Sequence, residues 1–380
     1  MTRTWDIFCS VVDNYGDIGI CWRLARQLSS ELGYAVRLWV DDLAAFHHLC
    51  VCVDPALDTQ RIDAVEVRYW SAPMPPVHPA DIVIEGFGVR LPESYVADMA
   101  ARSPRPVWIN LEHVSAEPWV DGSHGLPSPH PRLPLTKYFF FPGFTAKTGG
   151  LLIEHGLAQT RAAFQSDTAA VASFRHSLGI ARADTTPLCV SLFCYDNAAL
   201  PALVDTWATA PAPVVCVAPA GRVLEQLSAI TARNIDPATS VQLGSLTIVA
   251  PPFLDLDKYD RLLWACDLNF VRGEDSFVRA QWAARPLVWQ AYVQEQDAHL
   301  IKLTAFMDHY LCGLAGYTAS SIRALHDAWN RQSAGIGERW RAFAACRVEA
   351  EGHARAWAER LAAGRSLAIE LAEFCLNRLE

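Results

Sequence analysis

The sequence predicts an α/β protein built as two Rossmann-like domains facing a cleft. Three observations lead there. The chain has 380 residues, which suits two domains of ~100–200 residues each rather than one. Short apolar runs alternate with amphipathic stretches, the rhythm of a parallel sheet covered by helices. That rhythm fades after residue 150 and restarts at Pro187. A hydrophobic fraction of 51% against 19% charged supplies two cores and argues against disorder.

The elements follow in order. Residues 6–12 read as a buried strand and 13–19 as a polar turn. Residues 22–32 carry helical periodicity, with Leu24, Leu28 and Leu32 four apart, and Gly33 suits the end of that helix. Further strands are expected at 35–40, 65–70, 82–85, 107–111 and 138–141. Residues 117–134 are rich in Pro, Gly, Ser and His without apolar period, and read as a long loop. The second half repeats the pattern, with strands at 188–194, 214–218, 246–249, 268–271 and 287–290. Helices are expected at 200–209, 259–265 and 277–284. The domain boundaries are set at 1–150 for the first, 151–184 for a connecting segment and 185–345 for the second. The remainder, 346–380, is a helical tail able to pack back on the first domain.

Composition narrows the function. A net charge of −9 makes a poor nucleic-acid binder, because phosphate contacts need a basic face. A local basic pocket for a diphosphate remains compatible with it. The 13 Trp residues are costly to expose, so several are expected in cores or a cleft. The 11 Cys residues include no C-x-x-C pair. Cys9, Cys189, Cys194 and Cys216 sit in apolar runs as small core hydrophobes, and Cys50 and Cys52 form only a C-x-C. Free thiols in a reducing compartment are the expectation. The start lacks a signal-peptide apolar region, and no stretch reaches the ~20 apolar residues of a membrane helix. A soluble, cytoplasmic enzyme without membrane contact is expected.

Charged turns then mark the candidate sites. Asp13-Asn14-Tyr15-Gly16-Asp17-Ile18-Gly19 follows the first strand, where ligands of parallel sheets bind. Only Gly16 and Gly19 are present, so the turn lacks a dinucleotide fingerprint, and Asp17 would repel a phosphate. Two carboxylates suit a cationic or hydroxylic group that must lose a proton. Asp17 could equally cap a helix starting near Ile18. A second run, Arg272-Gly273-Glu274-Asp275-Ser276, follows an apolar strand and opens a helix. Asp275 and Ser276 are good N-cap residues. Gly273 permits close backbone approach, and the helix N-terminus with Arg272 can hold a diphosphate. Glu274 can accept a hydrogen bond from a sugar hydroxyl. Phe193, Tyr195, Phe253 and Tyr292 fall at the carboxyl ends of expected strands, where a base can be sandwiched; each could also be a core residue. Asp255-Leu256-Asp257 has the D-x-D spacing of some metal-dependent sugar-nucleotide enzymes, but reads here as a solvated turn. His47, His48, His113, His124 and His130 show no metal spacing and are assigned no role.

Two stretches carry a family resemblance: DNYGDIGICWRLARQL at 13–28, and LLWACDLNFVRGEDSFVRAQWA at 262–283 followed by PLVWQ at 286–290. Through them the whole chain resembles the EarP family of protein-arginine rhamnosyltransferases. The resemblance implies a GT-B glycosyltransferase architecture and inverting transfer of rhamnose from dTDP-β-L-rhamnose to an arginine of elongation factor P, which activates that factor for ribosomes stalled at polyproline. It implies Asp13 and Asp17 beside the acceptor, with Asp17 the general-base candidate. Phe193 and Phe253 would flank thymine, and Glu274 would lie near the deoxyribose. Tyr195, Arg272, Asp275, Ser276 and Tyr292 would surround the diphosphate. No metal is implied. The alternative is a GT-B glycosyltransferase or a sugar-nucleotide epimerase acting on a non-protein substrate.

Overall fold

A computed structural model describes residues 3–11, 15–71, 73–181 and 187–379. The chain folds as two units, Met1–His155 with Ala363–Glu380, and Gly156–Ala362. Each is a Rossmann-like sheet with helices.

The first unit holds strands β1 (Thr4–Cys9), β2 (Ala35–Val40), β3 (Thr59–Ile62), β4 (Val65–Tyr69), β5 (Ile82–Gly86), β6 (Val107–Leu111), β7 (Pro127–Pro129) and β8 (Thr136–Phe140). Their order across the sheet is β3-β4-β2-β1-β5-β6-β8-β7. All pairs are parallel except β3 with β4 and β7 with β8. β5 and β6 are buried along their full lengths, as strands covered on both faces must be. The edge strands β3 and β7 are missing from the sequence-based expectation. TQRI and PSP carry too little apolar periodicity to be seen alone.

One carboxylate is built into this core. Asp6 in β1 is fully buried. It accepts two bonds from Arg37 at 2.6 Å, one from the Trp39 indole at 2.8 Å, one from the Ala80 amide at 2.9 Å and one from the Tyr95 hydroxyl. This many donors make the buried charge tolerable, and they tie β1, β2 and the helix Glu93–Ala101 together.

The helix after β1 spans Gly16–Ser30. It starts earlier than the periodicity of 22–32 suggests, because its first turn is polar and glycine-bearing. Gly33, at φ 71°, lets the Gly33 and Tyr34 amides close on the Ser29 and Leu28 carbonyls at 3.1 Å each.

The second unit holds β9 (Leu188–Leu192), β10 (Val214–Val217), β11 (Thr239–Leu243), β12 (Leu246–Ala250), β13 (Leu268–Arg272) and β14 (Leu287–Gln290). Their order is β11-β12-β10-β9-β13-β14, parallel except β11 with β12. In both sheets the central parallel strands run 3-2-1-4-5. The order therefore reverses between β1 and β5, and again between β9 and β13. These are the topological switch points at which such sheets bind ligands.

The stretches set apart in the sequence as connector and tail are each divided between the units. Helices Leu157–Ser166 and Thr168–Ser177 belong to the second unit. Gln165 donates to the Trp264 and Ala283 carbonyls at 3.0 Å, and Arg175 to that of Ala265. Helix Arg347–Ala362 also packs there, with the Trp357 indole donating to Gln281 at 3.0 Å. Helix Leu367–Leu376 packs on the first unit, where the Leu367 amide donates to the Leu151 carbonyl at 3.0 Å and Phe374 meets Phe140 at 5.4 Å. The break at 363–366 separates the two helices; composition alone reads them as one. No helix among the described residues is long and apolar enough to cross a membrane. Cys9, Cys189, Cys194 and Cys216 are buried free thiols.

Candidate active site

In the second unit, the ends of three neighbouring strands, β9, β13 and β14, meet along one sheet edge. Phe193 leaves β9 with its amide on the Phe270 carbonyl at 3.0 Å. Two residues on, the Tyr195 amide donates to Oε1 of buried Gln290 at 2.9 Å. The turn is thereby clipped across β13 to β14. Arg272 ends β13, and its guanidinium lies 4.6 Å from the Phe193 ring centre and 4.5 Å from that of Tyr195. Such contacts hold a cation in a fixed place while leaving it its charge. Tyr292, beyond β14, meets Tyr195 edge-on at 5.3 Å and is 64% exposed. Phe193, Tyr195, Arg272 and Tyr292 are thus one cluster at the switch point.

Gly273 follows at φ 66°, a conformation that costs glycine nothing. Its carbonyl accepts from the Trp289 indole at 3.1 Å. The left-handed turn starts the next helix, Asp275–Trp282, with Glu274 at the N-cap. This corrects the expectation that Asp275 or Ser276 is the cap. Asp275 lies in the first turn, and buried Ser276 bonds back to the Arg272 carbonyl. The helix is anchored by a buried bidentate pair, Arg279 to Asp260 at 3.0 and 2.5 Å, and by Phe277 stacked on Trp289 at 4.1 Å. Its N-terminus, with partial positive charge, adjoins Arg272.

Phe253 is 39% exposed on the stretch between β12 and helix Leu256–Ala265. Asp255 caps that helix, accepting from the Lys258 amide at 2.8 Å and pairing with the Lys258 ammonium at 2.9 Å. Among the described residues no group of three or more His, Cys, Asp or Glu is arranged to hold a metal ion. Tyr259 was read from the sequence only as a helix residue. Its ring packs on Phe193 at 5.8 Å and its hydroxyl is buried beside Ser276. Burial pushes that phenol well up.

The corresponding edge of the first unit is acidic. Beyond β1, Ser10 and the Val11 amide bond to Asp41, the latter at 2.8 Å. Asp13 lies outside the described residues. Asp17 sits in the first turn of helix Gly16–Ser30, so it does not cap a helix starting near Ile18. The Cys9 thiol is pushed well up by its contact with Cys21, by burial, and by the charges of Asp17 and Asp41. Both carboxylates therefore lie near the end of β1.

Residues that belong to no recognisable motif complete this edge. A side chain at Gly86 would meet the Cys21 sulfur at 2.8 Å, so helix Gly16–Ser30 crosses directly over the end of β5. Phe87 follows at φ 57°, a genuine outlier for a bulky residue. Its ring stacks on His113 at 4.6 Å and 13°. The Gly88 amide donates to Oδ1 of buried Asn110 at 3.1 Å, and Asn110 Nδ2 donates to Glu112 at 2.5 Å. Buried Glu85, its carboxyl pushed up by desolvation, pairs with Lys137 at 2.7 Å. The available signal was the Gly-Phe-Gly at 86–88 and the Glu-His directly after the apolar 107–111 run.

The two edges differ in sign. One offers carboxylates and stacked rings, and the other a clamped guanidinium beside a helix N-terminus. Comparison with known proteins places the chain in a family. Residues 5–376 match the family described as Elongation-Factor P (EF-P) rhamnosyltransferase EarP. The chain is 49% identical to a protein-arginine rhamnosyltransferase of Pseudomonas putida, covering 100% of both chains. It is 45% identical to one of Pseudomonas aeruginosa, covering 98% of both. A structure solved for the basis of EarP-mediated arginine glycosylation of translation elongation factor EF-P has a TM-score of 0.71 at 36% identity, covering 99% of each chain. An α-glucosyltransferase bound to UDP and DNA shares the fold, with a TM-score of 0.50 at 9% identity, covering 100% of this chain and 98% of the other. The architecture is that of the GT-B glycosyltransferases, and the activity class is protein-arginine rhamnosyl transfer, which sets aside the epimerase alternative. The chain belongs to the EarP family of elongation-factor-P rhamnosyltransferases.

Proposed function

We propose that this protein transfers rhamnose from dTDP-β-L-rhamnose, with inversion at the anomeric carbon, to an arginine side chain of elongation factor P. The modified factor then serves ribosomes stalled at polyproline. The observation that carries the donor half is Arg272, clamped between Phe193 and Tyr195 at the N-terminus of helix Asp275–Trp282. A diphosphate meets fixed positive charge there before and after it leaves. Phe193 and Phe253 bracket the thymine, Glu274 accepts from the deoxyribose hydroxyl, and Tyr195, Asp275, Ser276 and Tyr292 line the diphosphate.

The acceptor half must handle an unusual nucleophile. Arginine carries a delocalised charge and a pKa above ~12, so prior deprotonation is out of reach. Asp13 and Asp17 bind the cation and orient one nitrogen. As the N–C1 bond forms, the C1–O bond to the diphosphate breaks. The bonding pair leaves with dTDP, and the proton passes from nitrogen to Asp17. The reaction needs no metal, because Arg272 and the helix N-terminus carry the leaving charge.

The test is direct. The protein, dTDP-rhamnose and elongation factor P are mixed and the factor is weighed by mass spectrometry. A gain of one deoxyhexose on an arginine is expected, and an unmodified factor would overturn the proposal.

A further inference from the structure

The first switch point holds more than the Asp17 turn. Phe87 follows β5, the neighbour of β1, and His113 lies two residues beyond β6, the next strand out, so both stand on the ligand edge of the sheet. The Phe87 amide still continues the ladder, donating to the Leu111 carbonyl at 2.7 Å. A bulky residue in the left-handed region is strained, and such strain gathers at functional sites. Here it turns the Phe87 ring onto His113 at 4.6 Å and 13°. His113 is exposed and Phe87 half-buried, so the pair is reachable from solvent. Buried Asn110 holds two parts of the arrangement at once, the Gly88 amide and the Glu112 carboxylate. Asp17 belongs to the same neighbourhood. It lies four residues before Cys21, which packs over Gly86. Four residues are about 6 Å along a helix and return to the same face.

We propose that the Phe87–His113 stack, with Glu112 at its side, is the platform that receives the acceptor guanidinium. This rests on the arginine-acceptor reading above and adds the residues that select arginine. A guanidinium is planar, weakly hydrated, and stacks on aromatic faces. Laid on the rings, it turns its N–H groups sideways, where Glu112 and Asp17 accept charge-assisted bonds. One face of the plane is covered by the platform. The other is left for the bond that forms perpendicular to it. A lysine ammonium, lacking a plane, gains far less from the same surface, so the platform is a selectivity device as well as a binding one.

The test uses the full-length protein and intact elongation factor P. Phe87→Gly removes the ring and relaxes the backbone, since glycine adopts φ 57° freely. His113→Ala removes an exposed ring, and His113→Phe keeps a stack. Phe87→Gly and His113→Ala are each expected to lower acceptor kcat/KM by roughly 3- to 30-fold, the range of a cation–π contact. Most of that loss should appear in acceptor KM. His113→Phe should stay within about threefold of the parent by the same measure, and Glu112→Gln should lose roughly tenfold or more, as for a bond to a charged group. Melting temperature and dTDP affinity should hold throughout. Binding of elongation factor P without donor, followed by calorimetry, should weaken in the same order. Parent-like acceptor kcat/KM and binding in Phe87→Gly and His113→Ala would overturn the platform. So would a loss of dTDP affinity in parallel with acceptor kcat/KM. If the parent binds elongation factor P but transfers nothing to it, the functional proposal falls, and the binding series still decides the platform.

Discussion

The two units use one strand order and present opposite chemistry at the same topological position. At the ends of β1, β5 and β6 the first unit shows carboxylates and stacked rings, with Asp17, Glu112, Phe87 and His113 on that edge. Between β9 and β13 the second shows Arg272 held by Phe193 and Tyr195, ahead of a helix N-terminus. The backbone supplies the same notch twice, and the few residues after the first, fourth and fifth parallel strands of each sheet set its sign. A cationic acceptor and an anionic donor need opposite signs. Under the proposed reaction, the division of labour on this fold lies in strand-end side chains.

The largest effect that could break this comparison is at Asp17. Asp17→Asn removes the proposed proton acceptor while keeping its shape. Turnover should fall by roughly 10²–10⁴, the worth of general-base catalysis. Stability should change little, because Asp17 lies in the first turn of its helix, where a charge contributes about 0.3–1 kcal/mol. Donor affinity should hold. Asp13→Asn should also lose activity, with more salt sensitivity, since it weakens capture of the cation. Melting temperature, dTDP affinity and rhamnosylation rate for each variant form the measurement. Near-normal turnover of Asp17→Asn would remove the acid–base role from this edge.

Next in size is a contrast in acid stability. His326 lies fully buried in helix Gly316–Asn330 of the second unit, with Nδ1 on the Ile322 carbonyl at 3.0 Å. Burial pushes its pKa down to about 4. The neutral ring is therefore favoured in the fold, and its contribution is present above the unfolded value of 6.5. That contribution is lost as pH falls through 6.5 towards 4, amounting to roughly 3 kcal/mol. In the first unit, Glu85 shifts the other way, because burial raises its carboxyl. Acid therefore spares Glu85 while penalising His326. Denaturant unfolding of the parent and of His326→Gln across this window should show a steeper acid loss in the parent. Equal slopes would mean that His326 is hydrated in the fold.

At the donor edge, Arg272→Ala should weaken dTDP binding by roughly 10- to 150-fold, the worth of a hydrogen bond to a charged group. Glu274→Ala should cost less, about 2- to 12-fold, as for a neutral bond. The Phe193 and Phe253 pair should favour dTDP over UDP and GDP. Calorimetry with the three nucleotides reads all of this. Equal affinities would dissolve the thymidine reading, and an unaffected Arg272→Ala would move the diphosphate elsewhere.

The sequence shows the proposed donor edge more clearly than the proposed acceptor edge, for physical reasons. Arg272 to Ser276 stand together in the chain, and Phe193, Tyr195 and Tyr292 each directly follow a strong apolar run. Local order reveals them. Which residue caps the helix was hidden, because it depends on the left-handed turn at Gly273. The proposed acceptor edge is assembled from three separated strand ends. Phe87 stands in a short Gly-Phe-Gly run that matches no motif, and His113 has no metal spacing. Their stacking appears only once β5 and β6 are paired. Asp6 is the same lesson inside the core. Its donors come from residues 37, 39, 80 and 95, and nothing near Asp6 in sequence announces them. The edge strands β3, β7 and β11 escaped because pairing, not composition, makes them strands.

The smallest expected effect sharpens the comparison most at its chemical centre. If the second unit supplies all the charge that leaving dTDP requires, chelation should leave turnover unchanged. The D-x-D at 255–257 is the one local pattern that suggests otherwise. Asp255 there caps helix Leu256–Ala265 through the Lys258 amide and pairs with the Lys258 ammonium. Recruiting it to a metal would break both contacts and release the first turn of that helix, at a cost of about 0.5–2 kcal/mol for the cap alone. Arg272 and the N-terminus of helix Asp275–Trp282 already stand where the phosphate charge is proposed to develop, with no reorganisation required. Rates measured with and without EDTA, at fixed dTDP-rhamnose and elongation factor P, should therefore agree. Restoring Arg272→Ala with magnesium would show how nearly a cation in solution can substitute for the clamped guanidinium. Loss of parent activity in EDTA, recovered by magnesium or manganese, would mean that the second edge is incomplete without an ion and that the charge symmetry of the two units is only partial.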